Sequence, residues 1–242
     1  MRLSIENEAA RSGSTRLRMA AGVLAVVLAL GGCRSTPEVR HYILVAPESP
    51  RELGERTALM LGVDYLTTGA AYDDVRMVFR PTPHRLDYYH YHRWSAPPGV
   101  LVTDALREGL QESNAFGSVF SGYSARADLL LKGRVVALEE VDRAKDDWVA
   151  RVVLDLQLED VGTGRVIWSQ VLREEEELSE QTPEALAVAL STALGRVVQT
   201  ITPQLVQAKR ELDASIPSAP SLGSPPESPA TQEAEPSAPA GL

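Results

Sequence analysis

The sequence predicts an α+β fold: a mostly antiparallel sheet with two main helices packed on one face, followed by a disordered C-terminal tail. Three observations predict it. Two runs, 129–137 and 151–159, place apolar side chains at every second position, the mark of a sheet with one wet face. Two stretches, opening at Pro97-Pro98 and Pro183, instead repeat apolar residues at three- and four-residue spacing, which lines one side of a helix. Residues 213–242 hold no aromatic side chain and are filled with Pro, Ser, Ala and Glu. Such a stretch cannot bury enough apolar area to offset the entropy of ordering it.

The elements follow in chain order. His41 to Ala46 (HYILVA) is a short β-rich run stopped by Pro47, and Ala58 to Leu66 (ALMLGVDYL) is a second. Val75 to Phe79 is a third, closed by Arg80-Pro-Thr-Pro83. Leu86 to Trp94 (LDYYHYHRW) reads as an extended aromatic strand, with Tyr89 and Tyr91 on one face and Tyr88, His90 and His92 on the other. The first helix follows Pro97-Pro98, since proline is tolerated in a first turn. Val102, Leu106 and Leu110 form its stripe, and Ser113-Asn114 suits its exit.

In the central block Leu129, Leu131, Gly133, Val135 and Ala137 share one parity, and Val152, Leu154, Leu156 and Leu158 share another. Asp160-Val-Gly-Thr-Gly164 turns the chain into Arg165 to Arg173, so these two strands read as an antiparallel hairpin. Glu174 to Glu177 reads as a solvated strand end. Thr182-Pro183-Glu184 opens the second helix with a hydroxyl cap, a first-turn proline and an acid at the positive end. Leu186, Leu190, Leu194, Val197, Ile201 and Leu205 form its buried stripe, and Pro203 is expected to kink or end it near Thr202.

Ahead of this domain lies an export leader. Arg11, Arg16 and Arg18 precede the apolar stretch Met19 to Leu30, which runs into Gly31-Gly32-Cys33; that order is a secretory signal peptide. About 12 apolar residues in helix span ~18 Å, short of a ~30 Å hydrocarbon core, so the stretch is not a membrane span. Leu30-Gly31-Gly32-Cys33 resembles the bacterial lipobox, whose cysteine receives diacylglycerol and becomes the new N-terminus. The resemblance implies that Cys33, the only cysteine of the chain, is the lipidation site, leaving no thiol for a disulfide, a metal or a nucleophile. Arg34 follows it where inner-membrane retention uses aspartate, which implies the outer membrane and its periplasmic face. The chain thus divides into a signal peptide (1–32), a lipidated N-terminus with a short linker (33–39), an α+β domain (40–212) and a tail (213–242).

Removing residues 1–32 takes away four arginines and two glutamates, leaving 20 basic and 31 acidic side chains, net −11. That balance argues against nucleic acid as a partner. No catalytic arrangement is spelled. Gly117-Ser118 and Ser121-Gly122 do not form a nucleophile elbow. Gly162-Thr163-Gly164 is a turn with no following lysine to make a phosphate loop. Asp155 and Glu159 lie on a wet strand face where nothing raises a pKa. His84, His90 and His92 are the metal candidates. His90 and His92 have a spacing that zinc or copper sites use, but no second cluster completes a coordination sphere. The sequence therefore assigns no catalytic residue, no metal and no cofactor. Arg93-Trp94, with Tyr89 and Tyr91, reads as a partner interface, since arginine and aromatic residues supply interface hot spots; Trp94 could equally anchor the core.

Several segments together resemble one family. His41-Tyr42-Ile43-Leu44, Val63-Asp64-Tyr65-Leu66, Arg76-Met77-Val78-Phe79-Arg80, Arg93-Trp94-Ser95-Ala96-Pro97 and the alanine-rich run Ala185 to Leu194 are similar to the strands, the pre-helix element and the last helix of the ABC-type transport auxiliary lipoproteins. That family includes the paraquat-inducible C-type outer-membrane lipoproteins of MCE (mammalian-cell-entry) lipid-transport systems, and the resemblance spans residues 40–205. It implies a non-enzymatic docking component that works with an MCE-domain protein and an ABC permease and ATPase in moving lipid between membranes; a homo-oligomer stays open. Two readings compete: an outer-membrane assembly or secretion lipoprotein of the lipopolysaccharide-assembly or curli-secretion type, and a periplasmic enzyme or metal protein.

Overall fold

The computed structural model describes residues 37–45 and 56–215. The signal peptide, Cys33, the end of the first apolar run at Ala46 and the tail beyond Ser215 lie outside the described residues. Nine strands and two helices occur among those described. They are β1 (Arg40–Tyr42), β2 (Met60–Val63), β3 (Thr67–Thr68), β4 (Arg76–Thr82), β5 (Arg85–Trp94), α1 (Pro98–Glu112), β6 (Ser118–Ser121), β7 (Leu129–Ala144), β8 (Asp147–Asp160), β9 (Arg165–Glu177) and α2 (Pro183–Ser215). A single 3-10 turn at Ala70–Tyr72 precedes β4.

The 16-residue strand β7 is the spine of the sheet. Along one edge β8 pairs antiparallel with it over its whole length, and β9 pairs antiparallel with β8. Along the other edge the chain passes in three short steps, β2 at Leu129–Leu131, β3 at Arg134–Val135 and β4 at Glu140–Val141, each parallel to β7. The pairs β1/β5 and β2/β6 are parallel too, while β4/β5 is an antiparallel hairpin. The sheet is therefore mixed rather than mostly antiparallel. Alternation reports which face of a strand is buried, not the direction of its neighbour, so only the strands joined by tight turns revealed their orientation.

Both helices pack on one face, and the main core lies between them and the sheet. Val102, Leu106 and Leu110 of α1 and Leu190, Val197, Ile201 and Leu205 of α2 have no exposed surface. They meet Leu129, Leu131, Leu154, Leu156 and Leu158 from the sheet. Fully burying such a side chain is worth about 1.5–3 kcal/mol. Asn114 takes a left-handed φ of 56° just past α1, as its sequence suggests. Thr182 Oγ1 accepts from the Ala185 N–H at 3.2 Å and caps α2.

Pro203 does not end α2, which runs on to Ser215. Proline removes the bond to the carbonyl four residues earlier, but both Pro203 and that residue, Gln199, face solvent, where water can take the carbonyl. Ile201, Leu205 and Leu212 hold the buried stripe in register across the site. The helix is long and apolar enough to cross a membrane, yet 72% of its most apolar window is buried inside the fold; it is a core helix here.

Two register irregularities reverse the expected facing of residues. Between Val135 and Ala137 β7 carries one extra residue against β8. Leu129, Leu131 and Val135 therefore face the helices, but Ala137 turns to the opposite face and joins Tyr72, Val78 and Val153 in a second small cluster. In β5, Tyr88 pairs with Val78 but Arg93 pairs with Arg76, so three more residues lie on β5 than on β4. Tyr88 faces the small cluster, whereas Tyr89 packs against the main core and His92 stacks near both Tyr89 and Tyr42. His90 and Tyr91 bulge into solvent between them. The expected pairings of Tyr89 with Tyr91 and of Tyr88 with His92 on common faces are thus both broken. A bulge shifts parity by its extra residues, and strict alternation cannot foresee it.

Candidate docking surface

The residues singled out on β5 separate in the structure. Trp94 is 2% exposed and belongs to the core, out of a partner's reach. Tyr89 is half-buried, and its hydroxyl donates to Glu140 at 2.7 Å. Arg93 is half-buried, with a buried Nε that has no hydrogen-bond partner. Tyr91 alone projects, 43% exposed. His90 and His92 do not converge: the His92 ring lies 2.9 Å from the Tyr42 hydroxyl while His90 is on the solvent side. Among the described residues no three His, Cys, Asp or Glu side chains come together as a metal site.

Larger aromatic exposure occurs elsewhere. Tyr65 is 58% and Tyr123 67% exposed. β2 and β6 run parallel with Val63 opposite Ser121, and each tyrosine lies two residues beyond its strand's last pair. Both backbones are pinned. The Asp64 and Leu66 N–H groups donate to Leu131 O (2.9 Å) and Thr103 Oγ1 (3.0 Å) on either side of Tyr65. Gly122, at φ 73°, ends β6 and donates to Val63 O; only glycine takes that conformation without cost. Each ring stands on a rigid turn just past the end of the parallel pair, an exposed aromatic of the type that anchors protein interfaces. Because β2 and β4 pair along the same edge of β7, both turns lie on the same side of that spine as β4, β5 and the N-terminal strand β1. Sequence reasoning passed over Tyr123, although an aromatic residue inside the turn-forming run Ser121-Gly-Tyr-Ser124 was a readable signal.

The face opposite the helices carries a charged ladder. Glu139, 1% exposed, accepts from Tyr72 Oη at 2.7 Å and from Arg80 Nε at 3.0 Å, with Arg151 Nη1 at 3.5 Å. Arg151 also binds Glu175 at 2.7 Å, and Arg143 pairs with the same carboxylate. Burial, with the hydrogen bond to Glu139, pushes the Tyr72 hydroxyl up to about 12, so it stays a donor. The ladder borders a hollow of about 610 Å³ floored by Ala137 and Val153. Three donors hold Glu139 there, while Asp142, which also lines the hollow, keeps one buried carboxylate oxygen without a hydrogen-bond partner.

Glu140, next in sequence, faces the helices and is held by Tyr89 and by Gln181 Nε2 at 3.1 Å. Burial raises its pKa, and that of Asp142 as well. Two glutamates inside the apolar run of β7 were visible in the sequence, and their opposite facing follows from strand alternation; that Glu140 rather than Glu139 faces the helices was set by the bulge at Val135–Ala137. The acidic run of β9 is more than a solvated end. Glu174 and Glu176 clamp Arg196 of α2 at 3.1 and 2.5 Å, while Glu175 points to the other face.

The fold is a two-layer α+β domain with one helical face and one ion-paired face, and it recurs among solved structures. A Xanthomonas campestris protein of the DUF330 family is 20% identical, covering 73% of this chain and 100% of that one at a TM-score of 0.67. An uncharacterized protein is 11% identical, covering 70% of this chain and 99% of that one at a TM-score of 0.58. The model of the ABC-type transport auxiliary lipoprotein component matches residues 42–202, and the chain belongs to that family. The resemblance drawn from its sequence is thereby confirmed. No curated protein sequence matches the chain.

Proposed function

We propose that the chain is a non-enzymatic docking component of an ABC-type intermembrane lipid-transport system, tethered by acylated Cys33 to the inner leaflet of the outer membrane and holding an MCE-domain protein. The observation that carries this reading is the lipobox-like Leu30-Gly31-Gly32-Cys33 leading, within a few residues, into a domain of the auxiliary family. A sessile lipid anchor suits a protein that holds another in place. The neutralised Glu139 ladder supports a non-catalytic domain. Within it we place the partner contact at Tyr65 and Tyr123, the two most exposed tyrosines among the described residues; Tyr91, the exposed member of the β5 set, is the alternative surface.

The test is a photo-crosslinking amino acid installed at Tyr65, Tyr123 or Tyr91 in the full chain in cells, with partners identified by mass spectrometry. The reading expects an MCE-domain protein crosslinked from positions 65 and 123. Crosslinks from position 91 alone would move the surface to β5. Recovery of lipopolysaccharide-assembly or secretion components instead would favour the competing lipoprotein reading.

A further inference from the structure

We infer that the edge formed by residues 39–45 and the first turns of α2 is a membrane-contacting face that seats the domain on the bilayer to which it is tethered. Beyond β1 the chain runs extended along α2, with the Val45 N–H donating to Ser191 Oγ at 3.1 Å. Tyr42 and Leu44 turn inward, Leu44 being 9% exposed. Ile43 and Val45 consequently turn outward, 59% and 58% exposed, and Val188 of α2 joins them at 63%. These three side chains border an apolar hollow of about 420 Å³, lined also by His41, Tyr42 and Glu184. Val39, 40% exposed, extends the same strand toward the anchor.

A contiguous aliphatic patch of this kind marks a surface that is covered in use. The occupant follows from the chain outside the described residues. Pro37, the first described residue, is four residues from Cys33, and an extended chain spans at most about 3.6 Å per residue. An acyl chain on Cys33 therefore holds Pro37 within about 14 Å of the lipid headgroups, and no other part of the domain is so constrained. The exposed side chains of the patch, Ile43, Val45 and Val188, are aliphatic, and Tyr42, the aromatic residue of its lining, turns inward with its hydroxyl at His92, unlike the exposed aromatic and arginine anchors at the centre of a protein interface. A short tether also supplies a millimolar effective concentration, so an intrinsic affinity of about 1 mM keeps the face on the surface about half the time or more.

This inference rests on acylation of Cys33, and its test separates the two. The full chain, matured with its acyl chains, is reconstituted in phosphatidylethanolamine/phosphatidylglycerol vesicles, with an environment-sensitive fluorophore at V188C and, separately, at Y123C. Acylated Cys33 does not react, so the introduced thiol is labelled alone. The expected result is blue-shifted emission at position 188, quenched by lipids spin-labelled near the headgroup, with water-like emission at position 123. The substitutions I43S and V45S together should weaken the quenching several-fold. Water-like emission at position 188 overturns the proposal. So does a blue shift that follows protein density and ignores spin-labelled lipid, which would mean a second copy covers the patch. A chain that stays off the vesicles with a reactive Cys33 overturns the tether, and the inference with it.

Discussion

Replacing Glu139 with glutamine should destabilise the domain by about 2–3 kcal/mol. The side chain keeps its shape but loses the charge that faces Arg80 and Arg151, and its new amide group would point donors at donors. Stripping one partner from a buried ion pair costs about 3–5 kcal/mol. Here the two arginine side chains retain 23% and 21% of their exposure, so water recovers part of that penalty, which is why the expected figure is lower. With a urea slope of about 2 kcal/mol/M, the midpoint of E139Q should fall by about 1–1.5 M. Raising sodium chloride from 0.05 to 0.5 M should change the difference little, because a pair centred on a carboxylate with 2% exposure is poorly screened. A loss below about 0.5 kcal/mol, or one that vanishes in salt, would place the ladder among ordinary surface pairs. The hollow it borders would then need another explanation.

Three further outcomes follow from the packing. A Cβ on Gly109 would lie 2.9 Å from Val198 Cγ2 where α1 crosses α2. G109A should therefore lose its helix-propensity gain of about 1 kcal/mol to overpacking. V198A should relieve the clash, so a double-mutant cycle by urea unfolding should show coupling of at least about 1 kcal/mol; additivity within about 0.3 kcal/mol would disprove the close approach. P203A should stabilise α2, by at most about 3 kcal/mol, and slow amide exchange at residues 204–207; unchanged exchange there would count against the lost hydrogen bond. Burial raises the Glu140 pKa, so the folded state binds that proton more tightly than the unfolded chain. Wild-type stability should carry the full penalty above the raised value and regain it as pH falls toward the unfolded glutamate value. In that window the slope is up to about 1.4 kcal/mol per pH unit. E140Q should lose the Glu140 part of this slope, leaving that of Asp142; an unaltered pH profile would show that Glu140 titrates normally.

What the sequence determined by itself was whatever depends on near neighbours along the chain. Pro98 and Thr182-Pro183 fixed the starts of both helices, Asn114 the exit of the first, and the period-two run 152–158 the buried face of β8, because caps, turns and periodicity act within a few residues. The family was legible for a similar reason, in short motifs that survive as written. Tertiary structure alone decided the rest. Strand direction depends on which distant segment lies alongside β7, and no local pattern encodes that. The bulges at Val135–Ala137 and in β5 arise where two strands of unequal length must stay paired. The first decided that Glu140 rather than Glu139 faces the helices, and the second separated Tyr89, packed on the core, from exposed Tyr91. That Pro203 does not end α2 was not legible, because the cost of a missing hydrogen bond depends on whether water can reach the orphaned carbonyl, which only the packing of α2 settles. The placement of Tyr65 and Tyr123 has the same kind of cause. They are 58 positions apart in the chain, and only the parallel pairing of β2 with β6 brings their turns to one end of the sheet.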